Sequence, residues 1–150
     1  MFLPASPGSL PHPGTPVAQF TATATDGRSV SETDFADNTR VFALLSTGCG
    51  DCAKAIAAFR EHGPRLSPPP IVGVVGPADD RAPMVAELAG HAIVLEEEDL
   101  GPIAAAFEIS EFPSVLLIRD GYIQQADHTL APILATLDSA SVPASAGQSH

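Results

Sequence analysis

The chain contains two cysteines, Cys49 and Cys52, and only two residues separate them. Two cysteines placed at random in a chain of this length would show this spacing in roughly one per cent of cases, so the pair is a functional candidate. Two thiols at this spacing can form a disulfide with each other and exchange it with another thiol or disulfide. The spacing therefore predicts redox chemistry.

The elements predicted on either side of the pair favour such exchange. Residues 41–45 are a continuous apolar run, typical of a strand buried on both faces. Residues 53–62 contain strong helix formers, which predicts a helix directly after the pair. Unpaired N–H groups and the dipole at a helix N-terminus stabilise a thiolate. We therefore expect Cys49 to attack and Cys52, one turn inside the helix, to resolve the mixed disulfide.

Two structural interpretations of the pair stay open beside the redox one. A permanent disulfide across two residues would close a very short loop and stabilise the fold little. A zinc or iron–sulfur site needs about four ligands, so it would have to be shared across a dimer. The histidines that could contribute are His12, His62, His91, His128 and His150. We favour redox exchange and expect no metal and no cofactor.

The composition bounds the possible partners. The chain has 150 residues, 45% of them apolar, which is enough for the core of one domain. Its formal net charge is −11 with only 7 lysines and arginines, so nucleic acid is not an expected partner and an anionic membrane surface would repel it. No apolar run approaches the roughly 20 residues of a membrane span. We expect a soluble protein whose partners are a protein thiol or disulfide and a redox donor or acceptor.

Loop-forming residues frame the predicted domain. Residues 1–16 contain five prolines and are typical of a linker or disordered lead, and residues 141–150 form a Ser/Ala/Gly-rich tail. The domain is therefore expected to span residues 17–140. The first residues lack the basic region and long apolar stretch of a signal peptide. Because linkers join domains to something else, we expect an extracytoplasmic location if a signal or anchor has been removed.

The remaining pattern alternates strands and helices. The acidic run 96–99 precedes a predicted helix, which favours helix capping over metal binding. Asp120 and Gly121 are typical of a hairpin turn. This order predicts an α/β domain with a mixed central sheet flanked by helices. Strands are predicted over 17–25, 41–45, 71–75, 92–95 and 114–118 and from 122 onward, and helices over 53–62, 79–89, 103–107 and 129–137.

Three features of the sequence resemble the thioredoxin superfamily: the Cys-Gly-Asp-Cys run at 49–52, its flanking elements and the later Phe112-Pro113 ahead of a strand. Residues 14–28, with the sequence GTPVAQF and a following Asp-Gly-Arg, resemble the N-terminal extension of its TlpA/ResA and MauD-like branch. The resemblance covers about residues 14–138. It implies a thioredoxin-like fold with an N-terminal β extension and a bacterial thiol–disulfide oxidoreductase that acts on another protein.

The resemblance also implies a substrate-binding surface around the pair. It places a cis peptide bond between Phe112 and Pro113, packed against the disulfide, and X-Pro is nearly the only place where a cis bond costs little. Backbone groups of this loop would pair with an incoming peptide. The residues flanking the sulfurs, Gly48, Gly50 and Asp51, would complete the surface.

Three residues depart from the family pattern. Gly48 stands where an aromatic residue usually precedes the first cysteine, and Ala43 where thioredoxins carry a buried aspartate that helps deprotonate the second. The proton acceptor for Cys52 is therefore unassigned, with water or Glu111 as candidates. Asp51 replaces the familiar proline, and a carboxylate beside the sulfurs opposes thiolate formation. We therefore expect a pair more reducing than that of a strongly oxidising oxidase.

Two rival functions stay open. Peroxiredoxins place a threonine three residues before the attacking cysteine and a proline further upstream; Ser46 could replace the threonine, but Phe42 occupies the proline position. A chaperone or binding module that retains the fold with little redox activity would fit the absence of tryptophan. The direction of electron flow is also open, because reductases, oxidases and isomerases use the same residues and differ in potential and partner.

Overall fold

A computed structural model describes residues 10–141 of the chain. It contains two small β-strands, a five-stranded sheet and four α-helices. The strands are β1 (Thr21–Thr23), β2 (Ser29–Ser31), β3 (Thr39–Ser46), β4 (Ile71–Val75), β5 (Ile93–Glu97), β6 (Ser114–Arg119) and β7 (Tyr122–Asp127). The helices are α1 (Cys52–His62), α2 (Ala78–Leu88), α3 (Pro102–Ala106) and α4 (Ala131–Ser141).

The central sheet has the strand order β5-β4-β3-β6-β7. Strands β3, β4 and β5 run parallel, and each crossover between them contains a helix. Strand β6 pairs antiparallel with both β3 and β7. The mixed sheet predicted from the βαβ order and the Asp-Gly hairpin is therefore confirmed, with β1 and β2 as a separate antiparallel pair.

Each face of the sheet carries its own apolar core because successive residues of a strand point to opposite faces. In β3, Phe42 and Leu44 contribute to one cluster, whereas Ala43 and Leu45 contribute to the other. The first cluster includes α3 and a stack of Phe42 on Phe107, whose ring centroids are 3.8 Å apart. The second includes residues of α1, α2 and α4, and the predicted flanking helices thus cover both faces.

The strand predicted over residues 17–25 is shorter in the structure, where β1 covers Thr21–Thr23. The backbone donors ahead of β1 go to different elements, since Val17 donates to Gly121 at 2.9 Å and Ala18 to Ala106 at 3.0 Å. Partners that change from residue to residue do not form a strand ladder. The alternating apolar pattern therefore reflects burial in one core cluster, which holds Phe20 and Ala24, and not a strand over its whole length.

The end of the Pro-rich lead lies along β7. Gly14 donates to the Ile123 carbonyl at 2.6 Å, and Ile123 donates to the Thr15 carbonyl at 2.8 Å. Pro16 forms an isolated bridge with Tyr122. The rest of the predicted lead, residues 1–9, and nearly all of the predicted tail, residues 142–150, lie outside the described residues.

The acidic run caps a helix, as predicted. One carboxylate, that of Glu97, accepts hydrogen bonds from the N–H groups of Gly101 and Ile103 at 2.9 Å and of Ala104 at 3.2 Å. These donors lie at the start of α3, where N–H groups have no partner inside the helix. Among the described helices, none is long and apolar enough to cross a membrane.

Candidate functional site

The two cysteines form a disulfide where β3 leads into α1. Cys49 lies in the connecting turn and is half-buried, whereas Cys52 is the first residue of α1 and only 1% exposed. Their Cα atoms are 5.4 Å apart, within the normal range for a disulfide. The site therefore leaves Cys49 partly accessible to solvent and keeps Cys52 inside the protein.

The turn that carries Cys49 is fixed to the ends of the two central parallel strands. The N–H of Thr47 donates to the Val75 carbonyl at 2.9 Å, and the N–H of Cys49 donates to the Ser46 carbonyl at 3.2 Å. Gly76 has a φ of 148°, and a Cβ at this residue would collide with the side chain of Thr47. Only glycine tolerates that backbone conformation easily, so the β4–α2 turn and the cysteine turn fit closely together.

The buried sulfur lies in an apolar environment. Cys52 belongs to the same buried cluster as Ala43, which is 0% exposed. The buried polar or charged side chains of the described residues are Arg40 and Ser114, and no carboxylate is among them. The N–H of Ser46 donates to the Cys52 sulfur at 3.4 Å. A backbone donor, rather than a buried acid, is thus the polar group that contacts this sulfur.

A groove opens between α1, the loop that precedes β6 and the start of α4; we call it the Pro113 groove. Its volume is about 690 Å³. Phe112 and Cys49 pack against the same buried cluster, and the peptide bond between Phe112 and Pro113 is cis. The groove is lined by Asp51, Lys54, Ala55, Ala58, Glu111, Phe112, Pro113, His128, Thr129, Leu130 and Ala131.

Solved structures of three bacterial proteins share this architecture. The thioredoxin domain of a thiol-disulfide oxidoreductase from Bacteroides vulgatus matches with a TM-score of 0.68 and 17% identity, covering 85% of this chain and 96% of that one. A thio-disulfide isomerase from Thermus thermophilus matches with a TM-score of 0.66 and 21% identity, covering 85% and 94%. A secreted disulfide oxidoreductase from Mycobacterium tuberculosis matches with a TM-score of 0.61 and 16% identity, covering 74% and 84%.

This chain has a thioredoxin-like fold. No protein-family model matches its sequence, and no curated protein matches it either. The fold expected from the resemblance is confirmed, including the N-terminal pair of strands. At such low sequence identity the likeness establishes the fold alone, so the activity has to be argued from the residues of the site.

The thioredoxin-like fold brings three of the five expected substrate-binding residues together. Asp51, Phe112 and Pro113 line the Pro113 groove. Gly48 lines a separate groove, and Gly50 is exposed on the turn. A Cβ at either glycine would meet nothing within 4 Å. No side chain therefore covers the surface at the two glycines on either side of Cys49.

Two residues of the groove, Lys54 and His128, were not predicted as site residues. The Nζ of Lys54 lies 4.0 Å from Oδ1 of Asp51, and both side chains are exposed. Their i, i+3 spacing on a helix is a local signal that could have identified this pair. His128 has no such signal, because only the tertiary fold places the end of β7 beside Glu111.

Glu111, the carboxylate considered as proton acceptor for Cys52, has a different partner. Its Oε1 lies 3.3 Å from Nε2 of His128. Within residues 10–141, no group of three or more histidine, cysteine, aspartate or glutamate side chains is arranged to hold a metal ion.

Proposed function

We propose that this protein is a thiol–disulfide oxidoreductase that exchanges disulfides with a protein substrate through Cys49 and Cys52. The observation that carries the proposal is the unequal exposure of the two sulfurs: Cys49 is half-buried and Cys52 is 1% exposed, at the N-terminus of α1. A helix N-terminus favours a thiolate. An external disulfide or thiol can reach Cys49, and Cys52 is placed to resolve the complex that results.

The exchange proceeds in two balanced steps. In the reducing direction, the Cys49 thiolate attacks the substrate disulfide, so that a bond to Cys49 forms and one substrate sulfur leaves as a thiolate. The Cys52 thiolate then attacks the Cys49 sulfur and releases the second substrate thiolate. Two electrons pass to the substrate, and the Cys49–Cys52 disulfide remains. The oxidising direction reverses both steps.

The Pro113 groove is proposed as the binding site for the substrate polypeptide. It contains Asp51 at the start of α1 and Phe112 and Pro113 on the loop before β6. In this proposal the exposed glycines, Gly48 and Gly50, let a substrate backbone approach Cys49 without steric obstruction. Residues 17–140 would form the exchanging domain, extended at its start by residues 14–16, which pair with β7.

We further propose an extracytoplasmic role in a bacterium, within the TlpA-like or MauD-like branch. The N-terminal pattern over residues 14–28 supports the branch. One structurally similar protein, the disulfide oxidoreductase from Mycobacterium tuberculosis, is secreted, which supports the location. The acidic chain, with a net charge of −11, fits a protein partner better than a nucleic acid or an anionic membrane.

An assay on a protein disulfide tests the activity. The chain, with dithiothreitol as electron donor, is expected to accelerate the reduction of insulin and to consume no hydrogen peroxide. Peroxide consumption without insulin reduction would instead identify a thiol peroxidase. A chain that does neither, although its two thiols titrate after reduction, would be a binding module.

The charge beside the sulfurs should tune the potential of the pair. Asp51→Asn removes a carboxylate that opposes thiolate formation, so the reduced form is stabilised and the potential rises. Both Asp51 and its partner Lys54 are exposed, and interactions between exposed charges are weak, so we expect a shift of about 5–20 mV. The measurement is equilibration with glutathione buffers at low ionic strength.

The matched variant Lys54→Met should move the potential in the opposite direction, because it leaves the carboxylate of Asp51 without its cation. The wild-type potential itself is expected well below about −120 mV, the value of a strong oxidase. A wild-type potential near that value, or a fall in potential on Asp51→Asn, would contradict this account of the electrostatics.

A further inference from the structure

The imidazole of His128 contacts both ends of the short segment that contains Phe112. Its Nδ1 lies 2.9 Å from the carbonyl oxygen of Pro113, and its Nε2 lies 3.3 Å from Oε1 of Glu111. A carbonyl oxygen only accepts hydrogen bonds, so Nδ1 is the donor in the first contact. The side chain of His128, which lies between β7 and α4, therefore contacts the residues on both sides of Phe112.

A second side chain restrains the same loop from within. The hydroxyl of Ser114 donates to the carbonyl of Glu111 at 2.6 Å, and Ser114 is 0% exposed. The carbonyl groups of Glu111 and Pro113 are thus both bonded to side chains. Within the described residues, the backbone N–H and C=O of Phe112 form no hydrogen bond. The loop is fixed around a residue whose own backbone groups are free to bind another chain.

We propose that His128 is a positioning residue that holds the backbone of Phe112 ready for the substrate polypeptide. The inference rests on the proposed function, since it concerns how a protein substrate is bound next to Cys49. Ordering a loop during binding costs conformational entropy, and a loop that is already ordered in the free protein avoids that cost. His128 therefore acts on substrate affinity through the loop, without contacting the reacting sulfurs.

The bond to the Pro113 carbonyl is the stronger of the two restraints. The contact between Nε2 and Glu111 is attractive only when the imidazole is doubly protonated, because in the neutral ring with its proton on Nδ1 the Nε2 atom is an acceptor. The side chains of His128 and Glu111 are 50% and 36% exposed, and even a charged pair at this exposure contributes little. The N–H of His128 also donates to Oδ1 of Asp127 at 2.7 Å, which fixes the backbone from which the imidazole extends. A side chain that keeps only the Nδ1 donor should therefore retain most of the effect.

Three variants test the role of His128. His128→Ala removes both contacts, whereas His128→Asn places an amide N–H near the position of Nδ1 and keeps the bond to Pro113. His62→Ala is the matched control, because His62 also lies close to a glutamate, Glu61, at 3.7 Å in a partly exposed pair and is the last residue of α1, away from the Pro113 groove. The readouts are KM and kcat for insulin reduction, and ¹⁵N order parameters for Glu111 and Phe112.

For His128→Ala we expect KM to rise roughly three- to tenfold while kcat changes less than about twofold, as the loss of one positioning hydrogen bond predicts. The order parameters of Glu111 and Phe112 should fall from about 0.85 toward 0.6. His128→Asn should restore both readouts, and His62→Ala should leave both at wild-type values.

The two readouts separate this inference from the proposed function. If the wild-type chain reduces insulin and His128→Ala leaves both KM and the order parameters unchanged, the positioning role is wrong and the oxidoreductase proposal stands. If the wild-type chain has no exchange activity, the oxidoreductase proposal fails and with it the effect on substrate affinity. A fall in kcat at constant KM would also overturn the inference.

Discussion

If the proposed exchange occurs, Cys49→Ser is expected to abolish it, whereas Cys52→Ser is expected to stop the reaction at a covalent complex with the substrate. The physical reason is the unequal exposure of the sulfurs, with Cys49 half-buried in a turn and Cys52 1% exposed. We therefore expect a substrate sulfur to attack or be attacked at Cys49 and not at Cys52. Without Cys52, nothing inside the protein attacks the mixed disulfide, and it persists until an external thiol cleaves it.

For Cys49→Ser we expect a large loss of exchange rate, and for Cys52→Ser the accumulation of a covalent complex. Removing the attacking nucleophile should lower the exchange rate by at least about a thousandfold. Cys52→Ser, incubated with a protein disulfide, should give a species of higher mass on a non-reducing gel. Dithiothreitol should reduce the mixed disulfide and remove this species. The double variant lacks both sulfurs and is the control for noncovalent association.

The reverse pattern would contradict the assignment of roles. Capture by Cys49→Ser would mean that the buried sulfur becomes accessible and attacks first. Turnover of Cys52→Ser at the wild-type rate would mean that an external thiol resolves the complex. In that case Cys52 would have a structural role, which the N–H of Ser46 at 3.4 Å from its sulfur would also fit.

Local patterns predicted the position of the cysteine pair because the interactions that determine it are local. The apolar run at residues 41–45 and the helix formers at 53–62 required a strand, a turn and a helix, and the structure places Cys52 at the first position of α1. The acidic run predicted a helix cap for the same reason, since Glu97 bonds to N–H groups a few residues away.

Contacts between distant segments could not be predicted in this way. The Pro113 groove combines the start of α1, the loop before β6 and the residues after β7. His128 lies 17 positions beyond Glu111, and no local sequence pattern indicates that these two side chains are in contact. The strand expected over 17–25 is shorter for the same reason, because its first backbone N–H groups donate to two separate elements, the β6–β7 hairpin and α3.

The second large effect concerns Ala43, the position where thioredoxins carry a buried aspartate. Ala43 lies in the central strand β3, pairs with Val72 and Val115, and belongs to the buried cluster that contains Cys52. A carboxylate at this position would be buried among apolar side chains, with no buried cation nearby in that cluster. We expect Ala43→Asp to lower the free energy of unfolding by about 3–5 kcal/mol at neutral pH.

The pH dependence of this loss identifies its cause. Burial raises the pKa of an aspartyl carboxyl above the value of about 3.9 that it has in the unfolded chain. The folded variant then binds more protons than the unfolded one between these two pKa values, so its stability falls as the pH rises through that window. The slope approaches about 1.4 kcal/mol per pH unit. Denaturant unfolding measured from pH 4 to pH 8 gives this slope.

Ala43→Asn is the matched control, because it buries a polar group of the same size that does not titrate. It should destabilise the fold by a similar mechanism but with no comparable pH dependence relative to wild type. If Ala43→Asp remains folded, its carboxylate can accept the proton of Cys52, and release of the substrate from the mixed disulfide should be faster than in Ala43→Asn. Equal release rates would mean that proton removal from Cys52 does not limit the release of substrate from the mixed disulfide. In that case Ala43 would preserve several kcal/mol of stability without lowering the exchange rate.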